Sequence, residues 1–339
     1  MLVGWRTTPT CADWGEPADP ARQRLHCVKP HAKRTPRPVF GCDAGPVDNA
    51  CRQYIGHAEG SDREMAEQTP PITTLEPRQI EAVDEAIREV SASIVMPRFR
   101  NLSTDDVREK GPGDYVTIAD LESELALTQK LVRIVPDTLV VGEEAATKDP
   151  AVVAQLERDE PVWVIDPIDG TANFATGYTP FAVMVALVHH KVTVAGWIYL
   201  PATGVMATAV LGGGASLDGE AQVIEPIDDP GSMHGIFHIP RSGVRRVRAE
   251  ILGSLLRTHH RIRCAGADYV DLLMGRTQVA LFNRMTPWDH AAGMLMHAEA
   301  GGVGRKLDGS RYIPVMQNDA VLLAPDVASW TKIRDKLPK

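Results

Sequence analysis

Between residues 138 and 211 the chain carries five apolar runs, TLVVG, VWVI, FAVMVALVH, VTVAGWIYL and VMATAVL. Each has the length of a strand and is rich in residues that fit a pleated, buried surface. The last three follow one another across short breaks. Parallel pairing needs a crossover of a dozen or more residues, so these runs predict an antiparallel meander. Helical periods flank them. Ile80, Val83, Ile87, Val90 and Ile94 recur at three and four, with Pro77 suited to a first turn. A second helix is expected after Asp120, with Leu121, Leu125, Leu131, Val132 and Val135 as its apolar face and a stop at Pro136.

GGGASLDGE (212–220) reads as a glycine-rich turn region, with a domain boundary shortly after it. Beyond it, HGIFHIP and QVALFN read as strands, and VRRVRAEILGSLLRT, WDHAAGMLMHAEAG and DVASWTKIRDKL as helices. The expectation is an α+β half over 71–226 stacked on an α/β half over 227–339. Residues 1–70 hold proline and charges of both signs without a sustained period, the pattern of a disordered extension. Met65 opens MAEQTPPITTLEPRQIEAVDEAI, which reads as a natural start, so a misassigned start is a hypothesis for residues 1–64.

Bulk properties exclude some functions. A net charge of −8 argues against a nucleic-acid or anionic-membrane partner, which needs a broad basic face. No apolar run reaches the roughly 18 residues of a membrane span. The first residues lack the apolar core of a secretory signal, so a cytoplasmic location is expected. Cys11, Cys27, Cys42, Cys51 and Cys264 form no C-x-x-C pair, which speaks against zinc and against a disulfide framework.

The chemistry concentrates in WVIDPIDGTANF, residues 163–174. Pro167 cannot extend a central ladder, so the strand is expected to end at Asp166 and the chain to turn. Such a turn can aim Asp166 and Asp169 at one point, and two close carboxylates repel unless a cation lies between them. A D-P-x-D-G surface turn is the alternative. Further acids stand at element ends: Glu143 and Glu144 after LVVG, Asp289 at the head of WDHAAG, and Asp120 in DYVTIAD. Helix-start acids have a purely structural use as well. Together they suit a site for several hard cations, magnesium or manganese, because thiolates and paired histidines are missing from the motifs. Gly170 permits a tight turn, and the amides that follow can cradle an anion. Cations beside an anion cradle are what phosphate-ester chemistry needs.

GEE, WVIDPIDGTANF and PWDHAAGMLMHAEAGG, in this order, resemble the inositol monophosphatase family of lithium-sensitive, magnesium-dependent phosphatases, and DYVTIAD resembles its upstream motif. The resemblance covers roughly residues 76–335. It implies a layered αβαβα sandwich of mixed α/β type, usually a homodimer, holding two or three Mg2+ ions that Mn2+ can replace. It also implies that Glu143, Asp166 and the Ile168 carbonyl hold a first ion, and Asp166, Asp169 and Asp289 a second. A third, weaker ion would share Glu143. Asp120, Glu143 and Thr171 form the implied catalytic set, with Thr171 and Asp120 positioning the attacking water and helping to deprotonate it. The amides of Gly170 and Thr171 would hold phosphate.

Two departures concern substrate selection. The glutamate that inositol-preferring members carry about seven residues before the WD aspartate is absent, where LFNRMTPWD places Phe282, Asn283 and Arg284. CAGADYVD, with Asp268, replaces a G-S-A-A-like turn. Asp268, Asn283 and Arg284 are therefore the candidate substrate-selecting residues. Arg284 could hold a second phosphate or be a solvated surface arginine. His189, His190, His290 and His297 are read as ordinary.

The expected activity is hydrolysis of a phosphate monoester, inositol 1-phosphate or a related polyol or sugar phosphate. A 3′(2′),5′-bisphosphate nucleotidase and a histidinol-phosphate phosphatase are alternatives, and a partner-binding regulatory protein on the same fold is an alternative of another class. On the start-site hypothesis, mass spectrometry of the native protein detects no peptide from residues 1–64, and one such peptide dismisses it.

Overall fold

The computed structural model describes residues 73–111, 113–237, 242–259 and 263–338. The expected N-terminal extension and the Met65 start lie outside these residues. Helix α1 (Pro77–Val90) opens with a proline in its first turn and a capping box in which Glu76 and Gln79 exchange side-chain and backbone bonds. It buries Ile80, Val83, Ile87 and Val90, and passes into a π-helical turn, Ser91–Val95, and a short helix, Met96–Arg98. A hairpin of β1 (Val107–Gly111) and β2 (Asp114–Thr117) leads into α2 (Ile118–Ile134).

The face that α2 buries differs from the expected one. Leu121 and Leu125 are 45% and 60% exposed, whereas Ala119, Asp120, Ser123, Glu124, Leu127 and Leu131 are buried. Asp120 and Glu124 make hydrogen bonds that need the interior side, and the helix rotates to give it to them.

A seven-stranded sheet follows in the order β3-β4-β5-β6-β7-β8-β9. β3 (Leu139–Gly142) and β4 (Val162–Asp169) are parallel, and the remaining strands form an antiparallel meander. The meander comprises β5 (Ala182–His189), β6 (Val192–Leu200), β7 (Val205–Val210), β8 (Gly214–Leu217) and β9 (Glu220–Gln222). The glycine-rich stretch 212–220, read as a turn region, has turns at 211–213 and 218–219 and carries strand β8 between them, because its alternate residues Ala215 and Leu217 bury against the sheet core. A second sheet has the order β11-β10-β12-β14-β13. Its strands are β10 (His234–Phe237), β11 (Arg257–His259), β12 (Val279–Phe282), β13 (Val303–Lys306) and β14 (Val321–Ala324). The end of VRRVRAEILGSLLRT, read as helix, thus supplies strand β11, since α5 (Val244–Leu255) stops at Leu255.

Three apolar clusters define the layers. Residues of α1 and α2 pack on one face of the large sheet, against Trp163, Ile165, Val183, Val185 and Trp197. Its other face, through Val164, Met184 and Ile198, meets α6 (Ala265–Leu273) and α7 (Pro287–Glu299). The same two helices pack on Ile236, Ala280, Phe282 and Leu323 of the small sheet. α5 and α8 (Val327–Arg334) cover its far side, with Leu252, Trp330 and Ile333 against Phe237, Leu281 and Leu322. The result is a layered αβαβα sandwich in which strands β4 and β5 are buried along their whole length. No helix of the described residues is long and apolar enough to cross a membrane.

The rotation of α2 has a measurable consequence. Leu127→Ala should lower unfolding free energy by about 2–5 kcal/mol, the cost of a buried leucine cavity. Leu125→Ala should change it by less than about 0.5 kcal/mol, as for exposed sites. Denaturant titration of the two variants compares them, and equal losses would contradict the orientation of α2.

Candidate active site

The WVIDPIDGTANF stretch does not end its strand at Asp166. β4 continues to Asp169, and Asp166 pairs with Met184 while Asp169 pairs with Ala182, three steps against two. The irregularity is a bulge that admits Pro167. Its neighbour β3 reaches only as far as Gly142 opposite Ile165, so no ladder on that side loses a donor. The Asp166 carboxyl accepts the amide of Ile168 at 3.1 Å. Asp169 accepts the amide of Gly266 at 2.7 Å.

Gly170 follows at φ +83°, the left-handed region that favours glycine, and a Cβ would meet the Arg263 carbonyl, Cys264 and the Pro180 carbonyl at 3.2–3.3 Å. The turn releases the chain into the short helix α4 (Thr171–Ala175). The Thr171 hydroxyl lies 2.9 Å from the Ile168 carbonyl and 3.2 Å from Oδ1 of Asp120. Asp120 is at the third position of α2 because Thr117 caps that helix and Asp120 reaches back to the Thr117 amide at 2.8 Å.

β3 ends at Gly142, and Glu143 opens α3 (Glu143–Lys148). A Cβ on Gly142 would fall 2.2 Å from Cδ of Glu124, so only glycine leaves room for that carboxylate. Glu124 accepts the amides of Glu144 and Ala145 at 2.8 and 2.9 Å, capping α3 from another helix. Asp289 arrives from the first turn of α7, which begins at Pro287.

Oxygen atoms of Glu143, Asp166 and Asp289 all lie within 4.8 Å of one another. They line a cavity of about 440 Å3 with Asp169, Gly170, Thr171, Arg263 and Arg284. Of the sequence candidates, Asp268 is buried within α6 and, like Asn283, does not line this cavity; Arg284 does. His290 is held by Tyr269 and by the Arg284 carbonyl, at 3.0 and 2.9 Å.

Burial and mutual repulsion decide the protonation of these acids. Burial, then the Asp289 charge, pushes Glu143 up to about 8, against the opposing pull of Lys110. Burial, then Asp169, raises Asp289 to about 6. Asp166 is raised well above the usual carboxylate range by burial and by Glu143. Burial raises Asp120 to about 7 although Thr117 and Thr171 bond to it. A site that holds its own acids protonated is short of positive charge, and oxygen-only donors fit a hard divalent cation.

Sequence reasoning missed Lys110. Its ammonium donates to Glu143 and Glu144 at 3.0 and 2.9 Å and supplies part of the missing charge. It sits on β1, in a stretch whose glycines and proline suggest a loop, and only the β1–β2 pairing carries it to Glu143. Glu124 was missed because it reads as an exposed helix glutamate. Arg263 has no motif around it, and it reaches the cavity through the segment preceding α6.

In metal-free protein the raised acids keep protons that the unfolded chain releases. Stability from these groups is full below about pH 4 and falls as pH rises through about 8. Thermal denaturation in chelator should therefore give a lower Tm at about pH 8 than at about pH 5, and excess divalent cation should shrink the gap. A Tm that rises with pH in chelator would contradict this arrangement.

The description "Inositol monophosphatase family" matches residues 76–335. The chain is 30% identical over 262 residues to an inositol-1-monophosphatase of Mesorhizobium japonicum, covering 71% of this chain and 92% of that protein. It is 30% identical over 216 residues to a fructose-1,6-bisphosphatase/inositol-1-monophosphatase of Aquifex aeolicus, covering 62% and 79%. The crystal structure of extragenic suppressor protein suhB from Bartonella henselae superposes with a TM-score of 0.65 at 26% identity, over 77% of this chain and 99% of that one. With a family match spanning nearly all described residues and an acidic cavity formed by the matched segments, the chain belongs to the inositol monophosphatase family and is a metal-dependent phosphoric monoester hydrolase.

Proposed function

We propose that the chain is a Mg2+-dependent phosphatase acting on inositol 1-phosphate or a related polyol or sugar phosphate. The observation that carries this reading is the convergence of Glu143, Asp166 and Asp289 within 4.8 Å, in one cavity with Thr171 and Gly170. Glu143, Asp166 and the Ile168 carbonyl would hold one ion; Asp166, Asp169 and Asp289 a second; a third would share Glu143. When bound, such ions supply Lewis acidity and neutralise phosphoryl oxygens. The amides of Gly170 and Thr171 orient the phosphate. Residues 71–226 provide this metal and phosphate half, and residues 227–339 contribute Asp289.

The protein's own acid–base group is the Thr171–Asp120 pair. The Thr171 hydroxyl has one proton and two oxygens in reach, on Ile168 and Asp120. Asp120, raised to about 7, accepts and returns a proton near neutrality at little cost. The pair thus receives the proton of the attacking water, with Asp120 the base and Thr171 the relay. Thr117 fixes the other carboxylate oxygen of Asp120, which leaves Oδ1 aimed at Thr171.

A second reading, a substrate with an additional anionic group, is favoured by Arg263 and Arg284. Both are exposed, line the cavity, and form no ion pair with a carboxylate among the described residues. Lithium sensitivity, a homodimer and a cytoplasmic location belong to the main reading and rest on the resemblance and on composition.

A phosphate-release assay over inositol 1-phosphate, sugar mono- and bisphosphates, adenosine 3′,5′-bisphosphate and histidinol phosphate, with magnesium and with or without lithium, tests both readings. The main reading expects the highest kcat/KM on a polyol or sugar monophosphate and a loss of about a thousandfold or more in Asp166→Asn, the order of several kcal/mol of lost charge stabilisation. Retained turnover in Asp166→Asn would refute the metal assignment. Arg284→Gln should raise KM for a bisphosphate and leave monophosphate turnover unchanged if the second reading holds.

A further inference from the structure

Arg284 lines the acidic cavity from the link 283–286, which joins β12 to α7. Its side chain is exposed, and its charge opposes the raised proton affinity of Asp289, so the guanidinium lies within electrostatic reach of the carboxylates. An arginine loses side-chain freedom when it grips a ligand, and a fixed backbone beneath it reduces what must be ordered. The backbone of this link is held from two sides. Met285 exchanges both backbone hydrogen bonds with Gln317, at 3.0 and 3.2 Å. The Arg284 carbonyl faces Nε2 of His290 at 2.9 Å.

His290 is in turn set by a second side chain. A carbonyl oxygen can only accept, so Nε2 carries the ring proton, and in the neutral ring Nδ1 is left as an acceptor. The hydroxyl of Tyr269, 3.0 Å from Nδ1, donates to it. Tyr269 is 1% and His290 3% exposed, so bulk water does not compete for this bond. Packing fixes the rings as well. Phe282, the last residue of β12, lies 5.3 Å from Tyr269 and 4.7 Å from His290, centroid to centroid. A Cβ on Gly293 would fall 2.1 Å from the Tyr269 ring, so α7 accepts the tyrosine only over a glycine. Neither Tyr269 nor His290 lines the acidic cavity. They stand behind it, and between them they hold the link that carries Arg284.

We propose that Tyr269 and His290 are positioning residues for substrate selection. The Tyr269 hydroxyl orients His290, His290 holds the Arg284 carbonyl, and the guanidinium is thereby presented to a second anionic group of the substrate. This role presupposes the second reading above, and it places the control of selectivity on side chains that do not touch the substrate.

Competition against turnover of the best monophosphate substrate, followed by its alcohol product, tests this role. Fructose 1,6-bisphosphate and fructose 6-phosphate serve as competitors that differ by one phosphate. Wild type should prefer the bisphosphate by about tenfold or more, the order of one charge-assisted contact, and Arg284→Gln should remove most of that preference. Tyr269→Phe keeps the ring and should reduce the preference about threefold to tenfold, the order of one neutral hydrogen bond. His290→Phe, which keeps a ring against Phe282, should reduce it at least as far. In the Arg284→Gln background Tyr269→Phe should add nothing, because the two changes act on one contact. Equal inhibition by the two competitors in wild type would remove the second reading, and this role with it. A wild-type preference that survives Arg284→Gln, or survives both Tyr269→Phe and His290→Phe, would overturn the positioning role alone. So would an equal weakening of both competitors, which marks a merely structural tyrosine, or a full effect of Tyr269→Phe without Arg284.

Discussion

The crowding of carboxylates at the ends of β3, β4 and α7 is the constraint on which the rest of the structure depends. Glu143, Asp166 and Asp289 approach within 4.8 Å in surroundings that resist charge, and their raised proton affinities record the cost. A fold dominated by hydrophobic burial has no reason to gather such groups. It can hold them only where each acid is fixed by an element that is stable for other reasons. Lys110 offsets part of the repulsion at Glu143, and Arg284 part of it at Asp289, but burial outweighs both and the acids stay raised. The remaining charge suits a bound metal ion, in keeping with a metal-dependent phosphatase family.

The layers provide those elements. Strand β4 is buried throughout and packed on both faces, so Asp166 and Asp169 leave a rigid support. α7 lies between the two sheets, and the same burial of Ala291, Ala292 and Leu295 that joins the layers sets the depth at which Asp289 enters the cavity. Polar groups complete the frame. Glu124 caps α3 and thereby orients Glu143, while the Thr117–Asp120 capping box orients the acid that meets Thr171. Helix termination and the geometry of the acidic cavity are served by the same hydrogen bonds, which is why α2 turns its acids inward and exposes Leu121 and Leu125.

Much of this was legible in the amino-acid order because it is local. The apolar runs at 181–189, 192–200 and 205–211 have the right spacing for a meander, and WVIDPIDGTANF couples a strand, two acids and a glycine turn within twelve residues. What was not legible involves partners distant in the chain. The bulge at Pro167 exists because β3 stops opposite Ile165, a fact of pairing and not of residue type. The segment 212–220 carries strand β8 because β7 offers it a free edge. Lys110, Glu124 and Arg263 reach the site from stretches that read as loop or surface, and nothing in their neighbours marks them.

By itself the chain's order of residues determined the five strands between 138 and 211 and the helices that start at Pro77 and near Asp120, and that several acids stand at the ends of elements. Periodicity and turn chemistry act over a few residues and need no partner to be recognised. Only the tertiary structure decided that Glu143, Asp166 and Asp289 share one cavity while Asp268 and Asn283 stay outside it, and that His290 comes to hold the Arg284 carbonyl. Distances between elements are set by how the sheets and helices pack, and packing is a property of the whole chain.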